Sequence, residues 1–497
     1  MGQMFTESLV AGLAIIGIVI IVSALLSGLV DRSGLPQVAV FIFIGAALGP
    51  AGFGVFDMSL ESPVLRIVST LSLTLVLFTD AVTLNIKEVR QRAGLAFRML
   101  GPGSIVCAAL TAFVAWWLLG IGPASAAILG AALASTDPVL LRGLLRRRDI
   151  SPEARHALQL ESGLNDVVLL PIVVVAIALT GHHELTFAKM GFGLFILGPG
   201  AGIAIGLIAV SALDLIRKRI GIRRDYESLY SLGVAFSAFA AAEAVHGSGF
   251  LAAFAAGMTI AALDVELCDC FIEYGGVTAE MLLLFTFVIF GSSLIWTGFQ
   301  GLDTRTVIFA VFAILIRVPV YLLSLIGSNV DRRGRLLIAW YGPRGLSSLL
   351  LILLPVFAGV AGSDRLFRIS ALIVMISVIV HGASPMLLTR IAPKSEPKEP
   401  PPPAPPASEP EPAMQSRALP VIESSPSVGK QSISLEELEQ LQKSGEKVIL
   451  LDVRTERSRE PSEFQAKGSV RMPPEGVVPQ AHEMKLPKDA WLIAYCA

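Results

Sequence analysis

The chain has 497 residues, of which 54% are hydrophobic and only 16% are charged, and its formal net charge is −1. A soluble globular protein carries roughly a quarter charged residues, so this composition excludes that class and predicts a polytopic membrane protein. A net charge near zero gives no basic surface for nucleic acid, so no nucleic-acid partner is expected. Met1 leads into an apolar stretch without a small-residue cleavage site, so we expect no removable signal peptide.

Runs of roughly 20 apolar residues predict membrane-spanning helices. We predict an all-α membrane domain with about thirteen of them, near residues 8–30, 36–52, 62–84, 97–119, 123–142, 154–180, 187–215, 227–246, 249–264, 278–297, 305–327, 334–359 and 366–390. Alternate connections are basic: Lys87 to Arg98, Arg142 to Arg155, Arg217 to Arg224 and Arg332 to Arg335. The positive-inside rule then predicts an external N-terminus and a cytoplasmic C-terminus. The acidic loop 264–273 does not follow this pattern.

The composition changes abruptly after Ile391. We divide the chain into a transmembrane domain (1–391), a proline-rich linker (392–431) and a small cytoplasmic α/β domain (432–497). The linker centres on Pro400-Pro-Pro-Pro403, which favours an extended, semi-rigid chain. In the last domain, residues 435–442 predict a short helix, and residues 447–453 and 490–495 predict strands.

The stretch Glu161-Ser-Gly-Leu-Asn-Asp166 carries two carboxylates directly before a long apolar run. Ionisable groups inside a membrane are costly and by default mark functional sites. Helical spacing places Glu161 and Asn165 on one face, and Ser162 and Asp166 on the neighbouring face. Ser162 and Asp166 could therefore hold one small cation, while Glu161 points to a different partner.

A second polar group lies at a proline inside the fifth span, in Ser135-Thr-Asp-Pro138. Proline breaks the helical ladder, and freed backbone groups persist at membrane depth only where they line a cavity or are buried in protein. Thr136 and Asp137 at this break are candidate ion ligands. Asp137 could instead cap the following half-helix, and the two roles are compatible.

A second interrupted helix contains Gly342-Pro-Arg-Gly345. Paired broken helices in the two halves of a transporter point to the site between them. Arg344 could offset the partial charges of a half-helix C-terminus or serve only as a helix cap. Arg317 in the preceding span needs a carboxylate partner or must snorkel to the interface, and Glu161 is the best candidate. Asp80 is a weaker candidate for the ion site, and we expect it to have a structural role or to lie at the rim of the site.

Desolvation favours the neutral form of a carboxylic acid, so one carboxylate can bind either a proton or a bare alkali cation. We choose Asp166 as the competing group, with Thr136, Asp137 and Ser162 completing an oxygen shell. Such competition gives obligatory exchange if the empty site cannot easily cross the bilayer. No cofactor is needed beyond the transported Na⁺, Li⁺ or K⁺ and the proton.

These motifs resemble the cation:proton antiporters of the NhaP and eukaryotic sodium/proton exchanger branch, over about residues 8–391. The resemblance implies thirteen helices in inverted repeats, a homodimer, elevator-type movement of a core domain, and residence in a bacterial inner membrane. It assigns Asp166 as the ion- and proton-binding carboxylate, Asp137, Ser162 and the Thr136 backbone as co-ligands, and Glu161–Arg317 as a structural pair. Asn165 stands where electrogenic relatives have a second aspartate, which implies electroneutral exchange, with Na⁺ as the leading cation. Many relatives have Gly-Leu-Arg-Gly at the second break, where this chain has Gly-Pro-Arg-Gly.

The tail resembles a rhodanese-like domain through Leu450-Leu-Asp-Val-Arg454 and the strand followed directly by Cys496. That family binds a sulfane sulfur on such a cysteine, whose loop lowers the thiol pKa. The chain ends at Ala497, so the domain is expected to be incomplete. The other cysteines are Cys107 and the Cys268-x-Cys270 pair, and two thiols alone make a poor zinc site.

Two further hypotheses remain beside the sodium/proton antiporter. One is a potassium/proton antiporter or a channel-like potassium efflux system, since alkali cations accept the same oxygen ligands. The other assigns the function to the tail, as a membrane-anchored sulfurtransferase or sulfur sensor with Cys496 as the reactive thiol.

Overall fold

The structure is a computed structural model that describes residues 37–55, 57–84, 86–145, 150–180, 191–219, 224–263, 269–300, 302–391, 447–453, 468–472 and 491–495, with single residues 17, 21, 25, 438 and 466. The chain divides into two compact units, Met1–Glu396 and Pro397–Ala497.

The first unit is helical. In chain order its described helices are α1 Gln37–Leu48, α2 Pro63–Thr83, α3 Ile86–Gln91, α4 Ala93–Leu119, α5 Pro123–Ala134, α6 Pro138–Leu145, α7 Pro152–Thr180, α8 Gly198–Arg219, α9 Arg224–Ala244, α10 Gly249–Ala262, α11 Asp269–Ile289, α12 Thr304–Leu315, α13 Arg317–Ser324, α14 Arg332–Trp340, α15 Leu346–Phe357 and α16 Ser363–Ile391.

Within the described residues, eight helical stretches are long and apolar enough to cross a membrane: Pro63–Thr83, Ala93–Leu119, Pro123–Leu141, Pro152–Thr180, Gly193–Ile216, Thr278–Phe299, Thr304–Ser324 and Ser363–Gly382. Four apolar helices are shorter: Gln37–Leu48, Leu229–Ala244, Gly249–Ala262 and Leu346–Phe357. The predicted class, a helical polytopic membrane protein, is confirmed. The predicted span near 8–30 lies almost wholly outside the described residues, so the number thirteen stays a prediction.

Small residues let helices approach closely, as is common in membranes. A Cβ atom on Gly130 of α5 would collide with the backbone of Ala108 in α4, and one on Gly202 of α8 would collide with Ala252 in α10.

A proline does not always interrupt a helix in this unit. Pro102 lies in a π-helical stretch of α4, Met99–Ile105, where the helix continues without a break.

Two helices are interrupted inside the unit. α5 ends at Ala134 and α6 begins at Pro138, while α14 ends at Trp340 and α15 begins at Leu346. The two non-helical segments contact each other, because the backbone N–H of Asp137 donates to the carbonyl of Pro343 at 2.9 Å. Each segment therefore supplies partners for backbone groups that the other leaves unpaired at membrane depth.

The second unit contains three described strands, β1 Val448–Asp452, β2 Val470–Arg471 and β3 Trp491–Tyr495. They form a parallel sheet in the order β2-β1-β3. The carboxylate of Asp452 is buried at the end of β1 and lies 3.7 Å from the guanidinium of Arg471. The strands predicted at 447–453 and 490–495 are present, whereas most of the predicted helix at 435–442 and Cys496 lie outside the described residues.

Candidate ion-binding site

The candidate site lies where the two interrupted helices meet beside α7. All the polar residues predicted from the sequence in this region are buried, with at most 6% of their surface exposed: Thr136, Asp137, Glu161, Ser162, Asn165, Asp166, Arg317 and Arg344. Burial of this many polar groups in an apolar helical unit requires that they satisfy one another. Their hydrogen bonds place most of them in three groups, and Arg344 lies apart from these.

The first group centres on Asp137, whose carboxylate caps two helices. Its Oδ1 accepts the backbone N–H of Val139 at 2.8 Å, at the start of α6, and its Oδ2 accepts the N–H of Leu346 at 2.6 Å, at the start of α15. An anion at a helix N-terminus is stabilised by the helix dipole. Gly345 makes this possible, since a Cβ atom there would collide with the Asp137 carboxylate.

The second group surrounds Asp166 on α7. The hydroxyl of Ser135, in the first break, donates to Asp166 Oδ1 at 2.5 Å. The Ser347 hydroxyl, from the first turn of α15, lies beside the same carboxylate. Both interrupted helices therefore present a hydroxyl to Asp166.

Asn165 supports the first break from the same turn of α7. Its Nδ2 donates to the carbonyl of Ala134 at 3.0 Å and to the Thr136 hydroxyl at 3.3 Å. Ala134 is the last residue of α5, so its carbonyl would otherwise lack a partner. Asn165 and Asp166 thus both turn toward the break.

Two buried oxygen atoms of this group accept no hydrogen bond in the part of the chain that the structure describes. They are Oδ2 of Asp166 and Oδ1 of Asn165. Oxygen acceptors without donors are what an alkali cation requires, because hard cations prefer carboxylate and amide oxygens. The two atoms belong to adjacent residues.

Ser162 lies one turn before Asp166 and borders a cavity of about 290 Å³. Its hydroxyl donates to the carbonyl of Gln159 at 3.2 Å, and no hydrogen bond joins it to Asp166. Asp80 and His156 also line this cavity. Helical spacing predicted that Ser162 would contact Asp166, but the serine that contacts this carboxylate is Ser135.

The third group is a buried ion pair between α7 and α13. Both guanidinium NH groups of Arg317 donate to the two carboxylate oxygens of Glu161, with Nη2–Oε2 at 2.6 Å. The Tyr321 hydroxyl donates to Glu161 Oε1 at 2.8 Å. Arg317 also donates to the carbonyls of Ile338 and Tyr341, which lie at the C-terminal end of α14. This arginine therefore compensates both a carboxylate and a helix end.

Arg344 has no carboxylate partner among the described residues. Its guanidinium donates to the carbonyl of Gly342 at 2.8 Å and to that of Ala313 at 3.5 Å. Its backbone N–H donates to the hydroxyl of Ser377 at 2.7 Å, and Ser377 lies 3.1 Å from Nδ1 of His381. Arg344 thus holds the second break against α12 and α16.

Four residues of the site were not predicted from the sequence: Ser135, Ser347, Tyr321 and Ser377. Ser135 begins the motif Ser135-Thr-Asp-Pro138, so its position in the break was a usable signal. Tyr321 lies four residues after Arg317, and this spacing places both side chains on one face of α13. For Ser347 and Ser377, the sequence offers no signal beyond a polar residue in an apolar helix. The tail residue Cys496 lies outside the described residues. Cys107 is a buried free thiol.

Comparison with known proteins gives one family match. A sequence model described as "Sodium/hydrogen exchanger, transmembrane" matches residues 18–389. Among curated proteins, the chain is similar to the K(+)/H(+) antiporter NhaP of Alkalimonas amylolytica, with 26% identity over 79% of this chain and 69% of that protein. It is also similar to the K(+)/H(+) antiporter NhaP2 of Shewanella baltica, with 26% identity over 75% of this chain and 65% of that protein. The chain thus spans about two thirds of the length of these relatives.

Among solved structures, the sodium proton antiporter MjNhaP1 of Methanocaldococcus jannaschii, determined at pH 8, resembles the chain with a TM-score of 0.63. The two share 18% sequence identity, and the match covers 76% of this chain and 99% of the other. At that identity the likeness concerns the fold.

Proposed function

The chain belongs to the sodium/hydrogen exchanger family, whose sequence model matches residues 18–389, and we propose that it exchanges a monovalent cation for protons across a membrane, with Asp166 as the shared binding group. Membership of this family of transporters confirms the predicted class, a cation/proton antiporter rather than an enzyme. The binding residues, the ion preference and the stoichiometry are parts of the proposal.

The observation that carries the proposal is the pair of buried, unpartnered oxygens on Asp166 and Asn165. Asp137 is also a carboxylate, but both of its oxygens already accept backbone N–H groups. Asp166 accepts a hydrogen bond on Oδ1 from the Ser135 hydroxyl, whereas its Oδ2 has no donor among the described residues. Asp166 is therefore the carboxylate whose charge most needs a proton or a cation.

Exchange follows if the two ligands exclude each other. A proton on Asp166 Oδ2 removes the charge that attracts the cation, and a bound cation removes the site for the proton. In this proposal the carbonyl oxygen of Asn165 and the hydroxyl of Thr136 complete the oxygen shell. Ser162, whose hydroxyl donates to Gln159, lines the approach to the site. Asp137 holds the two breaks in register, and its charge adds to the field that attracts a cation.

The cavity beside Ser162 supplies the route to the site from one side of the membrane. It reaches Ser162 on α7, one helical turn from Asp166, and Asp80 contributes a carboxylate to its wall. The exposed fraction of Asp166 is only 3%, and in this proposal an ion that enters the cavity passes Ser162 to reach it. We assign Asp80 to attracting cations into this cavity.

We propose Na⁺ as the preferred cation and an electroneutral ratio of one cation to one proton. The ratio is supported by Asn165, which contributes no charge next to Asp166. Na⁺ is supported by the family description, whereas the two curated relatives carry potassium in their names. Li⁺ accepts the same ligands and is the third cation to compare.

We further propose the finer features of the assembly that the family resemblance implies. These are thirteen membrane helices in inverted repeats, a homodimer, an elevator-type movement of the domain that carries the two breaks, and a bacterial inner membrane with the N-terminus outside. The basic connections support the orientation.

For the tail we propose a rhodanese-like α/β domain on the cytoplasmic side. The parallel sheet β2-β1-β3 and the buried Asp452 that ends β1 support this assignment. In parallel sheets, ligands bind outside the carboxyl ends of the strands, and Cys496 directly follows β3 in the sequence. Thiosulfate-dependent persulfide formation on Cys496 would support a sulfur-handling tail, and its absence in the Cys496→Ser control is the matched comparison.

The function is tested in proteoliposomes that contain a pH-sensitive dye. An outward-directed proton gradient is imposed, and Na⁺, K⁺ or Li⁺ is added in turn, with and without an ionophore that clamps the membrane potential. Proton flux that depends on the cation and not on the potential supports the proposal and identifies the ion. Flux that follows the potential contradicts the one-to-one ratio, and cation movement without proton movement supports a channel.

A further inference from the structure

A second cavity lies away from the candidate ion site, between α13 and α14. It measures about 260 Å³ and is lined by Leu322, Arg332, Arg335 and Leu336. We propose that this cavity binds the headgroup of an anionic phospholipid. Lipid binding at this cavity requires only that the chain lies in a membrane, so it does not depend on the proposed antiport.

The position of the cavity fits a membrane surface. It lies where the apolar stretch Thr304–Ser324 ends and the basic connection begins. Leu323, Ile326 and Leu336 are exposed there to 68%, 62% and 51%. Such large exposed apolar side chains beside the end of a span are suited to lipid chains. The cavity therefore has an apolar border and a basic wall.

The charges at this end of α14 are arranged against the usual preference. The first four residues of α14 include three arginines, Arg332, Arg333 and Arg335, and the first turn has no acidic residue. Cations at a helix N-terminus are disfavoured by the helix dipole, which instead attracts anions. The arrangement becomes favourable once an anion occupies the cavity.

Nothing among the described residues neutralises these arginines. No ion pair in that part of the chain involves Arg332, Arg333 or Arg335, and the Nε atom of Arg335 is buried without a hydrogen-bond partner. The neighbouring carboxylate, Asp331, caps the helix, because its Oδ1 accepts the N–H of Gly334 at 3.2 Å and the hydroxyl of Ser151 at 3.1 Å. A guanidinium is well suited to bind phosphate through paired hydrogen bonds.

The same chemistry could be supplied by free phosphate, but the apolar wall favours a lipid. Leu322 and Leu336 contribute no hydrogen bond to a phosphate, whereas they can contact the glycerol and acyl carbons attached to a headgroup. Anionic lipids are enriched in the cytoplasmic leaflet, which is the side that the basic connections predict for α14.

The proposal is tested with the purified full-length chain in a neutral detergent. Phosphatidylglycerol is titrated, and the bound lipid is counted by native mass spectrometry, with phosphatidylcholine as the neutral comparison. We expect the double variant Arg332→Gln/Arg335→Gln to bind phosphatidylglycerol about thirtyfold more weakly. Each arginine near an anionic membrane surface contributes about 1 kcal/mol of attraction, and about 2 kcal/mol corresponds to roughly thirtyfold in affinity. The matched control is Arg305→Gln/Arg368→Gln, which removes two arginines near the opposite end of the bilayer and should bind normally.

A second variant separates a lipid from free phosphate. Leu336→Asn leaves both arginines in place and should weaken phosphatidylglycerol binding without changing binding of inorganic phosphate. Equal phosphatidylglycerol binding by the wild type and the arginine variant would overturn the proposal. Full displacement of the lipid by millimolar phosphate would also overturn it, because the site would then recognise a soluble anion.

Discussion

Asp137 joins the two interrupted helices, because its Oδ2 accepts the backbone N–H of Leu346, 209 positions later in the chain, at 2.6 Å. Its Oδ1 accepts the N–H of Val139 at the start of its own half-helix. One carboxylate therefore fixes both breaks, which in turn position the hydroxyls of Ser135 and Ser347 around Asp166.

Replacing Asp137 by alanine should destabilise the protein and abolish transport. The change leaves the N–H groups of Val139 and Leu346 buried without their acceptor, and each such loss costs about 1–3 kcal/mol. Asp137→Asn retains one acceptor oxygen and should fall between the wild type and Asp137→Ala. The unfolding temperatures of the three proteins in detergent give their order of stability. An Asp137→Ala protein that unfolds at the wild-type temperature would contradict the capping role.

Gly345→Ala should disrupt the same contact from the other side. The new methyl group would collide with the Asp137 carboxylate, so α15 or the carboxylate must move. The matched control is Gly233→Ala in α9, where a Cβ atom meets nothing within 4 Å and alanine favours the helix by up to about 1 kcal/mol. Unfolding temperatures of the two variants should change in opposite directions. A Gly345→Ala variant with the unfolding temperature of the wild type would contradict close packing of Gly345 against the Asp137 carboxylate.

Glu161→Gln should be strongly destabilising, because it leaves the buried guanidinium of Arg317 without its counter-charge. Breaking a buried pair typically costs 3–5 kcal/mol. The double variant Glu161→Gln/Arg317→Met removes both charges and should recover part of this loss. A double-mutant cycle on unfolding temperature tests the coupling, and additive effects would mean that the pair contributes little.

Ser135→Ala should raise the cation concentration needed for half-maximal flux. The ionised form of Asp166 loses a hydrogen bond that stabilises it relative to the protonated form, so the proton becomes the stronger competitor. Ser370→Ala is the control, since the Ser370 hydroxyl is equally buried and has no hydrogen-bond partner among the described residues. Flux measured against cation concentration at fixed pH distinguishes them, and identical curves for Ser135→Ala and the wild type would remove Ser135 from the site.

Much of this arrangement could be anticipated from elementary rules. A proline next to a charged residue in an apolar span indicates an interrupted helix, as at Pro138 and Pro343. Proline alone is not sufficient, because Pro102, Pro171 and Pro355 lie inside continuous helices. A charged group in lipid needs a partner, which is why Glu161 and Arg317 could be considered together. These arguments concern single residues and their cost in a membrane, so they do not require the fold.

The remainder depended on packing between distant segments. Helical spacing placed Ser162 beside Asp166, but Ser162 turns to the carbonyl of Gln159 and Ser135 takes its place. Which face of α7 looks toward the break is set by the neighbouring helices, and spacing along one helix cannot reveal it. The collision that excludes a side chain at Gly345 is likewise visible only when the two breaks are brought together.

The most direct test of the central claim compares Asp166→Asn with a matched carboxylate variant in proteoliposomes. Asp214→Asn, in the span formed by α8, removes one carboxylate away from the breaks. We predict that cation-dependent proton flux is absent in Asp166→Asn and normal in Asp214→Asn. Thermal unfolding curves should show that both variants are folded. Flux at the wild-type rate in Asp166→Asn would contradict the account, because exchange would then not depend on the carboxylate that the two interrupted helices surround.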